Sequence, residues 1–179
     1  LAGDYEIGFY DGEIPEKDID QFLEMYNDFW GTIPLDELQG NRVSFTREQL
    51  IESIKSANLN SDINCSLYVR HKKDGCFVGF TNILRPKAYK KIIFQGATGV
   101  IIKEGGKGLG RWMKAAMLKK IMEEHPEIEQ IRSSNAASND AINKINKELG
   151  FKELWTWYWW QGELEKIENI LLSDMDSRF

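Results

Sequence analysis

Cysteine, histidine and proline are scarce in these 179 residues, which hold two Cys, two His and four Pro. Two thiols, Cys65 and Cys76, are no disulfide framework for a chain of this length, so its stability has to come from a packed core. They read as buried thiols of a cytoplasmic protein, with a single Cys65–Cys76 bridge left open. His71 and His125 stand far apart in polar surroundings, and no metal site is expected from them. No apolar run approaches the ~20 residues that span a bilayer. The opening residues lack a positively charged, leader-like pattern, so no membrane partner is expected. Positive charge is in deficit as well: 23 Lys and Arg against 28 Asp and Glu leave a net −5. That balance argues against a nucleic-acid partner, which usually meets a basic face.

What charge there is, is unevenly spread. Leu1 to Gly40 carries eleven acidic residues against Lys17 alone, whereas Lys103 to Lys120 carries six Lys/Arg against Glu104. A solvated helix face explains either run; so does an anion held near the second and a cationic group near the first.

The pattern of apolar residues predicts one domain with a mixed sheet and helices on both faces, α+β in class. Tyr5–Tyr10 reads as a strand. Ile19, Phe22, Leu23, Tyr26 and Phe29 recur at helical spacing over 16–30, behind Pro15. Gly31–Phe45 reads as a loop, and Thr46 with Gln49 has capping-box spacing for the next helix. Then the period becomes two: Cys65, Leu67 and Val69 alternate, Asp74-Gly75 marks a hairpin, and Phe77–Leu84 returns as a strand that Pro86 ends. Ile92–Ile102 is a further strand whose Gly96 and Gly99 suggest a bulge or the close approach of another molecule. A helix over 109–124, a strand over 128–134, a helix over 139–149, an aromatic strand over 151–160 and a helical tail over 163–172 complete the order.

Between the third long strand and the 109–124 helix lies "KEGGKGLGRW", with four glycines in six positions. It is not a Walker loop, because Gly106-Lys107 is followed by Gly108 and not by a metal-binding hydroxyl. Nor is it a dinucleotide fingerprint: Arg111 stands where the third glycine belongs, and antiparallel strands precede it. What fits is a cradle of backbone N–H groups at a helix N-terminus, open to a pyrophosphate, with Lys107 and Arg111 adding charge. The helix dipole alone supplies only about 0.3–1 kcal/mol, up to ~2 when partly buried.

"TGV", "GGKGLGRWMKAAML" and "NAASNDAINKINKELGF", in that order and spacing, resemble the acetyl-CoA-binding half of the GNAT N-acetyltransferase superfamily, over roughly Ile92 to Phe151. In detail the chain looks most like one half of the tandem, mycothiol-synthase-like members, and a start at Leu1 is what a piece of a longer polypeptide would give. The resemblance implies a mostly antiparallel central sheet, an acceptor-side half over 1–91, a cofactor half over 92–160 and a tail over 161–179. It implies acetyl-CoA as cofactor, with Gly99, Val100 and Ile102 along the pantetheine arm and the run Gly105, Gly106, Lys107, Gly108, Leu109, Gly110 and Arg111 at the pyrophosphate. Asn139 would face the cofactor with Asn135 nearby, and the Val100 N–H would polarise the thioester carbonyl.

The chain departs from that pattern twice. Gly105 replaces the loop's usual first Arg or Gln, which predicts weaker cofactor binding. Asn146 falls where the family often has a tyrosine that protonates the leaving thiolate. A lost general acid costs roughly 10²–10⁴ in rate, although a thiol near pKa ~8.5 leaves tolerably unaided. Asn146 and Ser134 are the catalytic candidates; Ser134, Glu153 and the acidic N-terminal segment compete as the base. The aromatic strand, Trp155 to Trp160, reads as a strand buried on both faces, as a wall of the acceptor pocket or as a docking surface for a partner half. The expectation is therefore an N-acetyltransferase acting on a small-molecule primary amine, alone or paired with a second GNAT domain or another copy. The competing expectation is a non-catalytic acyl-CoA-binding domain of a tandem enzyme.

Overall fold

A computed structural model describes residues 3–32, 43–158 and 160–176. Most of the expected 31–45 loop, and Trp159, lie outside them. The sheet has five strands in sequence order: β1 (Tyr5–Asp11), β2 (Ser61–His71), β3 (Phe77–Pro86), β4 (Ile92–Val100) and β5 (Gln130–Ser133). The first four pair antiparallel and β5 runs parallel to β4, so the expected mixed, mostly antiparallel sheet is what forms. Its two faces follow from the period-two alternation, offset in β3 by an irregularity at Val78 that leaves Phe77 and Phe80 on the same face. Leu67, Val69, Val78, Ile83 and Ile93 pack on one side against Leu109, Met113, Met117 and Ile121 of α3 (Leu109–Glu124). On the other side Phe77 and Phe80 meet Phe22 and Met25 of α1 (Glu16–Trp30) and Leu50 of α2 (Arg47–Asn60). Each such fully buried side chain is worth about 1.5–3 kcal/mol.

The local signals do their expected work. Thr46 Oγ1 accepts from the Gln49 N–H at 3.3 Å and Gln49 Oε1 accepts from the Thr46 N–H at 2.8 Å, a reciprocal cap on α2. Gly75, at φ +74°, turns the β2–β3 hairpin. Two further helices follow β5: α4 (Asp140–Glu148), beside the start of α3, and α5 (Leu164–Asp176).

Three expectations need correction. β4 stops at Val100, and Ile102 lies in a 3-10 turn, Ile102–Glu104, wound by the Glu104 N–H to Ile101 O bond and the Gly105 N–H to Ile102 O bond. β5 is confined to Gln130–Ser133. Among the described residues of 151–160 no strand and no ladder partner is found, and Trp157 and Trp160 are 71% and 93% exposed. A run of aromatics has high strand propensity, but propensity measures fit to a neighbouring strand, and here there is none. The reading of this segment as buried on both faces is wrong for the same reason.

Candidate functional site

The site is built on an irregularity in β4. Thr81 pairs with Thr98 and Ile83 with Gln95, so three steps on β4 match two on β3 and one residue of the Gly96–Ala97 pair is extra. A bulge of this kind bends its strand and increases the local twist. At the same place β5 ends: its last pairing is Ser133 against Gln95. Among the described residues, β4 from Gly96 onward therefore has β3 on one side and no strand on the other.

The ladder shows which backbone groups face that opening. The Ile101 N–H bonds to Val78 O at 2.9 Å, and Gly79 pairs with Val100 and Thr81 with Thr98. In an antiparallel pair successive residues turn their N–H groups to opposite sides. The N–H groups of Val100 and Thr98 thus point away from β3, into the gap. The Thr81 and Thr98 hydroxyls, 2.8 Å apart, mark the narrow, non-hydrogen-bonded kind of pair that this phase requires.

Past the 3-10 turn the chain enters the glycine loop. Gly106 has φ +75°, and Gly108, at φ +78°, forms the N-cap of α3 without any side-chain cap. A left-handed N-cap suits glycine and turns the N–H groups that follow outward. The first bond into α3 is made by the Trp112 N–H to Gly108 O at 3.0 Å. The Leu109, Gly110 and Arg111 N–H groups precede it and have no acceptor outside the helix among the described residues. Open N–H groups along β4 thus lead to open N–H groups at the start of a helix: an extended amide chain ending in an anion fits this arrangement.

The side chains of the loop are committed elsewhere. Lys107 Nζ donates to Glu104 Oε2 at 2.7 Å and to the Tyr5 hydroxyl at 3.1 Å. The Tyr5 hydroxyl also donates to Glu104 Oε2 at 2.5 Å, and His71 Nε2 is 3.4 Å from the other carboxylate oxygen. Tyr5 stacks on His71 with ring centroids 4.8 Å apart. This clasp ties the glycine loop to β1 and to the end of β2. The Lys107 ammonium, then Tyr5, hold the Glu104 carboxyl down at about 2, and Glu104 raises Lys107 in return. The positive charge of Arg111 is shared with Glu148, at 3.4 Å. Lys107 and Arg111, the two charges expected at a pyrophosphate, are each ion-paired with a carboxylate in this structure, at 47% and 61% side-chain exposure.

Gly99 also has a local explanation. A Cβ there would come within 2.2 Å of the Phe29 ring, so its bare face is filled by α1 and not by another molecule. Ile102, in its turn, is 76% exposed. Asn139 caps α4, accepting from the Ile142 N–H at 3.2 Å. Asn146 Nδ2 donates to Asn135 Oδ1 at 3.2 Å, and Asn135 Nδ2 donates to Asn143 Oδ1 at 2.8 Å. Asn146 Oδ1 is buried without a donor among the described residues. Asn135 and Asn146 are thus brought together, while Ser134, one residue past β5, is exposed. A groove of about 440 Å³ opens between the end of α1 and the turn after β4, lined by Asn27, Asp28, Thr32, Ile101, Ile102 and Lys103 among others.

Sequence reasoning missed the polar chain beneath β4. Lys114 Nζ donates to Gln95 Oε1 at 2.5 Å, and Gln95 Nε2 donates to Thr81 Oγ1 at 3.3 Å. The signal was available: Lys114 stands three residues before Met117 and seven before Ile121, within the apolar stripe of α3, where a charge needs a reason.

No protein-family model and no curated protein sequence matches the chain. Solved structures do. A tandem GNAT protein from the clavulanic acid biosynthesis pathway superposes with a TM-score of 0.68 at 19% identity, over 85% of this chain and 43% of that one; the chain thus spans under half the length of that relative. An aminoglycoside N-acetyltransferase solved in complex with CoA superposes at 0.60 and 12% identity, covering 90% of this chain and 98% of its own. A ribosomal-protein-alanine N-acetyltransferase from Brucella melitensis biovar Abortus 2308 gives 0.58 and 14%, over 88% and 99%. At these identities the likeness is one of architecture, and the chain has the fold of the GNAT acetyltransferases.

Proposed function

We propose that the chain is an acetyl-CoA-dependent N-acetyltransferase whose acceptor is the primary amine of a small molecule. The observation that carries the reading is two sets of N–H groups without an acceptor among the described residues, those of Thr98 and Val100 on β4 and those of Leu109, Gly110 and Arg111 at the start of α3. Acetyl-CoA supplies an activated acyl group on a pantetheine arm that itself contains two amides. Val100 would pair with that arm as a strand pairs with a strand, and the N–H groups from Gly106 to Arg111 would hold the pyrophosphate. The Val100 N–H would polarise the acyl carbonyl. Asn135 and Asn139 would stand near the cofactor, and Asp28, in the groove beside the turn that follows β4, suits an acceptor that arrives as a cation.

Asn146 would act at the leaving sulfur as a hydrogen-bond donor, since an amide cannot give up a proton at neutral pH. Ser134 is the hydroxyl that the end of β5 offers for relaying the acceptor's proton. Calorimetry with acetyl-CoA and CoA, followed by thiol release across a panel of amines, tests the reading; no binding at millimolar ligand refutes it.

A second reading has its own support in Asn146, which lacks an acidic proton, and in the exposed aromatics Trp155, Trp157, Tyr158 and Trp160. The chain would then bind acyl-CoA without turning it over, as one half of a tandem protein or as a partner of a second GNAT domain. Binding without turnover, unchanged by Asn146→Tyr, would decide for it.

A further inference from the structure

Lys114 is 1% exposed, on the face of α3 that otherwise carries Leu109, Met113, Met117 and Ile121. A buried ammonium is expensive unless its hydrogens find acceptors. One finds Gln95 Oε1, and the Phe151 ring lies 5.4 Å from the nitrogen. Burial pushes Lys114 down to about 8, which still leaves it mostly an ammonium at pH 7.

The chemistry of the groups fixes the direction of every bond that follows. An ammonium has donors only, so Gln95 must turn its carbonyl to Lys114 and its NH₂ to Thr81. Thr81 is completely buried and accepts from Gln95. Its own hydrogen has the Thr98 hydroxyl oxygen as partner, 2.8 Å away. Were Thr98 the donor of that bond, the buried Thr81 hydrogen would be orphaned, at a cost of roughly 1–3 kcal/mol. Thr98 is therefore the acceptor, and its own hydrogen is left over. Thr98 is half-buried, and it sits in the part of β4 that faces the gap with its N–H.

We infer that the buried chain Lys114–Gln95–Thr81 orients the Thr98 hydroxyl as a donor to the carbonyl oxygen of an acyl thioester laid along the β4 edge. The inference rests on the acyl-CoA reading above and adds to it a residue and its orienting chain. Thr98 would offer two donors from one residue, N–H and O–H, beside the single N–H of Val100. Thr98 is the group that touches substrate; Lys114, Gln95 and Thr81 are positioning residues that act through it. Thr98 keeps its proton throughout, and its hydrogen bond strengthens as the carbonyl oxygen gains negative charge. Aligned bonds polarise one another by about 10–30% each, so the last donor gains from the ammonium behind it.

The test is isotope-edited infrared spectroscopy of acetyl-CoA, ¹³C-labelled at the acyl carbonyl, bound to the protein at pH 7. In the wild type the carbonyl stretch falls on binding. Thr98→Val returns it toward the value of free acetyl-CoA, Thr98→Ser keeps the wild-type value, and both Lys114→Met and Thr81→Val give intermediate values. Thr81→Val breaks the chain without touching the lysine, so the orienting role is tested even if Lys114→Met does not fold. Affinity for CoA, which lacks the acyl group, stays within about twofold across the series. Turnover falls by about 10²-fold in Thr98→Val, as for a lost oxyanion donor, with little change in KM.

An unchanged carbonyl stretch in Thr98→Val overturns the assignment. A wild-type stretch in both Lys114→Met and Thr81→Val overturns the orienting chain. A wild type that binds neither acetyl-CoA nor CoA by calorimetry overturns the acyl-CoA reading itself, a result distinct from the other two.

Discussion

Replacing Glu104 by Gln should cost stability at neutral pH and little at pH 2. The Glu104 side chain, 13% exposed, accepts from Lys107 and Tyr5 and faces His71, and these neighbours bring it from the ordinary 4.5 to about 2. In the unfolded chain it would bind a proton near pH ~4.3. Between those two values the unfolded state holds more protons than the folded one, so stability rises with pH there. The contribution is complete above about pH 5 and is lost as pH falls through about 2. At about 1.36 kcal/mol per pH unit the shift corresponds to ~3 kcal/mol at most. Lys107 is half in solvent and screens the pair, which brings the expectation to about 1–2 kcal/mol. For a chain of 179 residues that is a fall in Tm of about 3–6 °C. The assay is thermal unfolding by circular dichroism from pH 7 to pH 2, for wild type and Glu104→Gln. The two curves should stand apart at pH 7 and converge on the acid side. Curves that stay parallel down to pH 2, or that coincide at pH 7, would refute the clasp.

Three other outcomes are expected. Gly108→Ala places a Cβ on a residue at φ +78°; it should lose about 1 kcal/mol of stability and on the order of tenfold in CoA affinity, read by calorimetry. Val100→Pro deletes an N–H that makes no bond to β3. The fold should survive, since proline is tolerated on a free strand edge, while thiol release falls by about 10²–10³-fold. Replacing both exposed Trp157 and Trp160 by Ser should leave Tm within what about 0.5 kcal/mol per site can move, because neither ring rests on the core.

Much of this arrangement could be read from residues with local consequences. Thr46 and Gln49 cap the helix they announce, Asp74-Gly75 makes its turn, and the glycines of the loop lead into α3, because each is decided within a few residues of chain. The errors arose where the decision is made at a distance. The 151–160 segment has the composition of a strand, but a strand needs a neighbour, and β5 is four residues long. The neighbours of Lys107 are likewise set at a distance, since Tyr5, to which it donates, is 102 residues away in sequence. Gly99 looked like room for a ligand, and the room is taken by Phe29. Lys114 resembled any other lysine of a basic helix, and only the third dimension sets its nitrogen against Gln95.

The exposed aromatic segment has a spectroscopic consequence. Four of the six tryptophans fall between 155 and 160, and Trp155, Trp157 and Trp160 stand in solvent in the native state. Much of the intrinsic fluorescence will therefore already resemble that of an unfolded chain, and its change on denaturation will understate the loss of the core. The same property makes the segment a built-in reporter. A molecule that settles over these rings will shift their emission to shorter wavelength, with no label added, while Trp30 on α1 and Trp112 on α3 supply the remaining signal.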